Sequence, residues 1–175
     1  MAKTEKELFE GIYALPSFPI VLVTVDRNIM TAAAFHFYSF DPPCLMVGIR
    51  PENLTFELIS EKGEFVINIP TKEQLDIVRV CGSTSGRTED KFVKAGLTPQ
   101  KGKMIDSFLI MECPVNIECV VVHHVQFEGS HSRGKNPFPL FTNIFNKFPQ
   151  RRGFLKLLSY IKKSDAGDVN KKRTF

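Results

Sequence analysis

Between Phe18 and Ile49 three apolar runs, FPIVLVTV, IMTAAAFHFYSF and CLMVGI, follow one another with only Asp26-Arg27-Asn28 and Asp41-Pro42-Pro43 as punctuation. The first run is short, rich in β-branched residues and preceded by proline, which predicts a buried strand. Asp26-Arg27-Asn28 then predicts a hairpin turn. The second run changes from small residues at Thr31 to Ala34 into aromatics, and it ends at Asp41-Pro42-Pro43 because consecutive prolines cannot donate to a strand ladder. CLMVGI reads as a third buried strand.

After Arg50 the pattern alternates between helix and strand. PENLTFELISEKGEF places Pro51 where it suits a first helical turn, then Leu54, Leu58 and Ile59, then Gly63 as a stop, so a short helix is predicted. EFVINIP follows as a strand. TKEQLDIVRVCG offers Thr71 as a cap and Leu75, Val78 and Val80 as an apolar stripe ending at Gly82, a second helix. SGRTEDKFVKAGL predicts a helical turn from Thr88 to Lys94 closed by Gly96. LTPQKGKMIDSF reads as a polar connection, and LIMECPVNIECVVVHHVQFEG as two strands separated near Cys113-Pro114. This order is not the strict strand-helix alternation of a doubly wound sheet. It predicts a mostly β fold with inserted helices, built as a largely antiparallel barrel.

A chain of 175 residues with 43% hydrophobic and 24% charged content fits one globular domain. No run approaches the roughly 18 apolar residues of a membrane span, and the opening MAKTEKELFE is too charged for a secretory signal, so a cytoplasmic protein is expected. Four cysteines without a CxxC pair then read as reduced thiols, and Cys113, Cys119 and the following His123-His124 do not form a recognised metal spacing. Charge is uneven: residues 131–175 hold eleven Lys/Arg and two Asp (11 − 2 = +9), and the remainder twelve Lys/Arg and seventeen Asp/Glu (12 − 17 = −5). From Ser132 the sequence interleaves Phe, Pro, Asn and Arg without a sustained period. Residues 1–131 are therefore expected to form the domain, and 132–175 a basic, irregular segment with one short amphipathic helix over GFLKLLSYIKK. A binding module acting through that tail on nucleic acid or anionic lipid is one reading of the asymmetry, and its affinity would collapse with salt.

The usual nucleotide and hydrolase fingerprints, GxGxxG, GxxxxGK[ST], HExxH and GxSxG, are absent. Polar groups gather instead at strand ends and helix starts, as an anionic cofactor requires. Arg50, Asn53 and Thr55 fall at a strand-to-helix junction suited to a phosphate, although Asn53 and Thr55 also read as helix caps. Ser83, Ser85, Gly86, Arg87 and Lys91 form a second polar cluster, which alone would pass for an ordinary loop.

NIMTAAAF, SFDPP, GIRPENLTFELI, GEFVINIP, CGSTSGRTEDKF, KAGLTP and ECPVNIEC occur in the order and spacing of flavin reductase-like, flavoredoxin-like FMN-binding proteins, which the chain resembles over about residues 15–131. The resemblance implies a split β-barrel that forms a homodimer and holds FMN near the subunit interface, with the flavin edge against NIMTAAAF. Asn28, Met30, Thr31 and Ala32 are the expected contacts on this strand: Ala32, Ala33 and Ala34 would let the backbone approach the ring, and Asn28 and Thr31 would hydrogen-bond its polar edge or the ribityl chain. Ser39 would reach the ribityl chain, Arg50, Asn53 and Thr55 the phosphate, and Ser83, Ser85, Arg87 and Lys91 the phosphate or a second nucleotide. His131 stands where the family often places a histidine after Gly-Ser, while His36, His123 and His124 read as core or surface residues. NADH or NADPH would pass a hydride to the flavin, so neither a catalytic dyad nor a metal is implied, and no nucleic acid or membrane partner. An electron-transfer flavoprotein reduced by a protein carrier is the alternative. The family continues after Gly-Ser-His into further barrel strands, whereas SRGKNPFPLF departs from that pattern as out-of-frame coding or a replaced terminus would, so the last strands are expected to be missing.

Overall fold

A computed structural model describes residues 19–41, 43–127, 138–145 and 158–159. β1 (Val21–Val25) and β2 (Asn28–Ala32) form the expected hairpin, with Val25 opposite Asn28 and Asp26 in the left-handed region at φ 49°. Aspartate tolerates that conformation better than most residues, which suits it to the tight turn. The second apolar run is split. β2 pairs with β1, the chain breaks at Ala33-Ala34, and β3 (Phe35–Phe40) pairs with β4 (Pro43–Ile49).

α1 (Leu54–Lys62) stops at Gly63, whose φ of 68° is left-handed, and β5 (Glu64–Ile69) follows. A 3-10 turn over Lys72–Gln74 leads into α2 (Leu75–Ser83), with Thr71 N donating to Gln74 Oε1 at 2.8 Å. The next helix, α3 (Lys91–Lys94), is shorter than expected because Asp90 caps it, accepting from Phe92 N at 2.9 Å and Val93 N at 3.3 Å. The polar connection that follows contains a strand the sequence pattern did not suggest. β6 (Pro99–Lys101) pairs with β7 (Phe108–Ile110) as a separate ribbon.

β8 (Val115–Phe127) is long enough to pair with β5 through its first half and β9 (Phe138–Phe145) through its second. The sheet runs β2-β1-β5-β8-β9-β4-β3, with β10 (Leu158–Ser159) also on β8. β9 and β10 fall in the segment expected to be irregular. β9 lies between β4 and β8, and an inner strand flanked on both sides need not alternate in polarity. Its Pro139 sits between the pairs Phe127↔Phe138 and Gln126↔Leu140, at a register shift, where a missing N–H breaks no ladder bond. The helix expected over GFLKLLSYIKK gives way to a strand at Leu158–Ser159; the rest of it, His131 and most of the basic tail lie outside the described residues.

The sheet curls until strands near its opposite ends share one interior. Val21, Val23 and Val25 of β1 and Ala32 of β2 pack with Val47 and Ile49 of β4, Phe65 and Ile67 of β5, and Ile59 of α1. Gly48 N donates to Ala34 O at 2.7 Å across the gap, and the barrel remains split rather than laddered shut. On the outer face of β1 and β2, Leu22 and Ile29 meet Val78, Cys81, Phe92, Leu97 and Ile110. β1 is thus buried at every position. No described helix is long and apolar enough to cross a membrane.

Asn68, on β5 and fully buried, joins these layers. Its Nδ2 donates to Leu22 O and Thr24 Oγ1, both at 3.0 Å, while its Oδ1 accepts from Ile110 N at 3.0 Å and Asn116 Nδ2 at 2.8 Å. These four bonds use the whole capacity of the amide. Replacing Asn68 with leucine leaves those partners buried without a mate, and urea denaturation should show a loss of about 3 kcal/mol. A loss under about 1 kcal/mol would mean that water or neighbouring groups replace the amide.

Candidate functional site

β2 is an edge strand, and the N-terminus of α1, the C-terminus of α2 and the loop 83–90 surround it. The hairpin sets Asn28 at its start, buried, with Nδ2 donating to Thr55 Oγ1 at 2.7 Å. Asn28 Oδ1 is buried without a hydrogen-bond partner. Exchanging the amide's O and N leaves the same deficit, since one of its two atoms faces Gly86 either way. A Cβ at Gly86 would stand 2.0 Å from Asn28 Oδ1, so only glycine lets the loop approach this closely. One residue along, Met30 Sδ accepts from Asn53 Nδ2 at 3.4 Å. Thr31 Oγ1 donates to Val78 O at 2.7 Å, and a Cβ on Gly82 would lie 3.3 Å from its Cβ and Oγ1.

α1 begins without a side-chain cap. Asn53 holds the N-cap position with extended backbone (φ −76°, ψ 134°), but its amide is turned to Met30, and the Thr55 hydroxyl is engaged by Asn28. The capping role open to both residues in the sequence is therefore not taken up. Phe56 N donates to Asn53 O at 2.9 Å, while the N–H groups of Leu54 and Thr55 keep their partial positive charge without a side-chain cap, a ready site for an anion. Arg50 stands exposed at the end of β4, and its carbonyl accepts from Asn53 N at 3.1 Å, which fixes the turn into the helix.

Beside Asn28 a cavity of about 430 Å³ is lined by Leu54, Leu58, Gly86 and Arg87 and rimmed by charge. Arg87 pairs with Glu57, whose carboxyl the guanidinium holds below its ordinary range. Arg27 pairs with Asp90 at 2.8 Å and depresses that carboxyl too. The Arg27 guanidinium also lies 5.5 Å from the Phe92 ring centre and 5.8 Å from that of Phe108.

The structure thus gathers Asn28, Met30, Thr31, Asn53, Thr55 and Arg87 around β2. Ser83 and Ser85 lie exposed on the same loop, and Ser85 Oγ accepts from Arg87 N at 3.3 Å. Ala32 turns its methyl into the barrel core, leaving Ala33 and Ala34 exposed. Ser39 is not brought to the cluster. It pairs with Cys44 at the far end of β4, six residues from Arg50, a separation of about 20 Å at about 3.3 Å per residue. Its hydroxyl donates to Asp41 O at 3.3 Å. Lys91 is also turned away from the loop: its ammonium is buried and donates to two backbone carbonyls. Sequence reasoning passed over Arg27, Glu57 and Asp90, which look like ordinary surface charges until folding pairs them. Among the described residues no three His, Cys, Asp or Glu side chains come together as a metal site would need.

A family model for the flavin reductase like domain matches residues 14–132. The chain belongs to the flavin reductase-like family. Its membership agrees with the order of motifs along the chain, and the matched span ends where the composition changes. A protein of Archaeoglobus fulgidus described as uncharacterized is 38% identical over 125 residues, covering 71% of this chain and 70% of its own length. The flavoredoxin of Desulfovibrio vulgaris (Miyazaki F) superposes with a TM-score of 0.65 at 31% identity, over 81% of this chain and 74% of that one. Flavoredoxin from Methanosarcina acetivorans gives 0.70 at 25% identity, over 87% and 76%. At 19% identity, nitrilotriacetate monooxygenase component B from Bacillus cereus shares the fold with a TM-score of 0.71, over 83% and 78%.

The rim of the candidate site offers a test by pH. In Asp90→Asn the capping oxygen survives and the charge does not. The variant should be less stable at pH 7 by about 0.5 kcal/mol, a small value because the pair is exposed and screened. Because Asp90 titrates lower when folded, its contribution is complete above the unfolded value of about 4 and is lost as pH falls through the folded value. Wild type and variant should therefore converge in acid when unfolding is followed by circular dichroism. A gap that stays constant down to pH 3 or below, on the order of one unit under the unfolded value, would refute the assignment.

Proposed function

We propose that the chain binds FMN along β2 and oxidises NADH or NADPH by accepting a hydride on that flavin, acting as a soluble homodimer. The observation that carries the reading is the uncapped N-terminus of α1 set beside Arg50 and the cradle made by Asn28 and Gly86. Its free N–H groups and the Arg50 charge suit a phosphate, and the unpartnered Asn28 amide suits a polar group of the ribityl chain or ring. Ala33 and Ala34, small and exposed, leave the strand backbone open to a planar ring. A bound flavin supplies the hydride-accepting chemistry, so the protein is asked for position and electrostatics and not for an acid–base pair. Excluding water and holding the nucleotide fall to β2, α1 and the loop 83–90.

Association of two copies is supported by β3, which ends the sheet and exposes Phe37 (41%), Tyr38 (66%) and Phe40 (83%). Monomers seldom leave such a group of aromatics in water. The likeness to two flavoredoxins favours a second reading, in which the same flavin is reduced by a protein carrier.

Titration of the purified protein with FMN, followed by anaerobic mixing with NADH and with NADPH, separates these readings. Bleaching of the bound flavin's visible absorbance by either nucleotide is expected. Bound flavin that neither nucleotide bleaches would sink hydride transfer and leave the carrier reading. In Gly86→Ala the added methyl must displace the Asn28 amide, so FMN affinity should fall about tenfold, equivalent to about 1.4 kcal/mol. Unchanged affinity would remove Asn28 and Gly86 from the site.

A further inference from the structure

Lys91 opens α3, yet its side chain runs inward and the residue is only 5% exposed. Its Nζ donates to Ile29 O at 2.7 Å and to Cys81 O at 2.8 Å. Among the described residues no carboxylate lies within ion-pair distance of it. Burial pushes the ammonium below the usual lysine range, so keeping a charge here carries a desolvation cost. The negative end of α2, where Cys81 lies in the last turn, offsets part of that cost.

The two carbonyls that Lys91 joins flank the candidate site. Ile29 stands between Asn28 and Met30 on β2, and Cys81 precedes Gly82, which packs against Thr31. We infer that Lys91 is a positioning residue: its ammonium holds the last turn of α2 against β2 and so sets the spacing of Thr31, Gly82 and the loop 83–87 around a bound flavin. A fixed cation held on the strand's backbone also favours added negative charge on a group seated nearby. The inference rests on the flavin reading of the site and deepens it. Hydrophobic contacts alone would be met as well by methionine, so the charge is the distinguishing element.

Full-length wild type, Lys91→Met, Lys91→Gln and Lys91→Arg are compared by circular dichroism, by FMN titration and by the midpoint potential of the bound flavin. Folded Lys91→Met or Lys91→Gln should bind FMN at least tenfold more weakly and hold it at a more negative potential, with Lys91→Arg restoring part of both. A folded neutral variant with wild-type affinity and potential overturns the inference and leaves the flavin reading intact. Failure of both neutral variants to fold overturns it too, because the lysine would then hold the domain and not the site. Wild-type protein that binds no FMN overturns the flavin reading and this inference together.

Discussion

One buried amide ties the layers of this fold together. Asn68 reaches β1 through Leu22 O and Thr24 Oγ1, the ribbon through Ile110 N, and β8 through Asn116. Thr24 extends the chain by donating to Phe108 O at 2.6 Å. In a low-dielectric interior such a network is strong when complete and costly when broken, so it admits one register among these strands. β1 cannot slide without moving its apolar side chains out of both cores at once. Since the hairpin carries β1 directly into β2, the register of the core also fixes where Asn28 and Thr31 stand.

The site follows from what that frame leaves unsatisfied. Asn53 spends its amide on Met30 and Thr55 accepts from Asn28, so the Leu54 and Thr55 N–H groups at the start of α1 are left without a side-chain cap. At the other end of β2 the carbonyls of α2 are well supplied: Val78 by Thr31, Val80 by Thr84 at 2.8 Å, and Cys81 by Lys91. One helix therefore offers donors to an incoming group, while the other is closed by side chains of the frame. The arginines of the rim are exposed and already paired, and such pairs add little stability.

Much of this was legible in the sequence, where side-chain pattern and turn chemistry agree. The β1–β2 hairpin, α1 with its Gly63 stop, β5 and the break at Cys113-Pro114 all follow from local signals. β6 escaped because three residues, Pro99 to Lys101, are too few to show a period and are mostly polar. The division of β2 from β3 escaped because changing strand partners leaves no mark on composition; only the exposed Ala33-Ala34 pair records it. In the sequence Lys91 reads as a cofactor contact because a lysine on a short polar helical turn beside the 83–87 loop looks solvent-facing, and only the packing of α3 shows its ammonium turned inward. Ser39 stands apart from the cluster for a related reason, since nearness in sequence to the alanines says nothing about distance along a strand.

The cysteines bear on why such a chain would depend on a bound group. Cys44, Cys81, Cys113 and Cys119 are all buried and free. Burial pushes every one of these thiols up, Cys113 to about 12 and Cys119 further, so the reactive thiolate is scarce at neutral pH. Cys119 in one core, and Cys81 and Cys113 in the other, serve as small apolar packing groups. Electron transfer through the chain's own sulfur would require opening those cores, whereas a group seated at the open edge of β2 would reach solvent and partners without disturbing them.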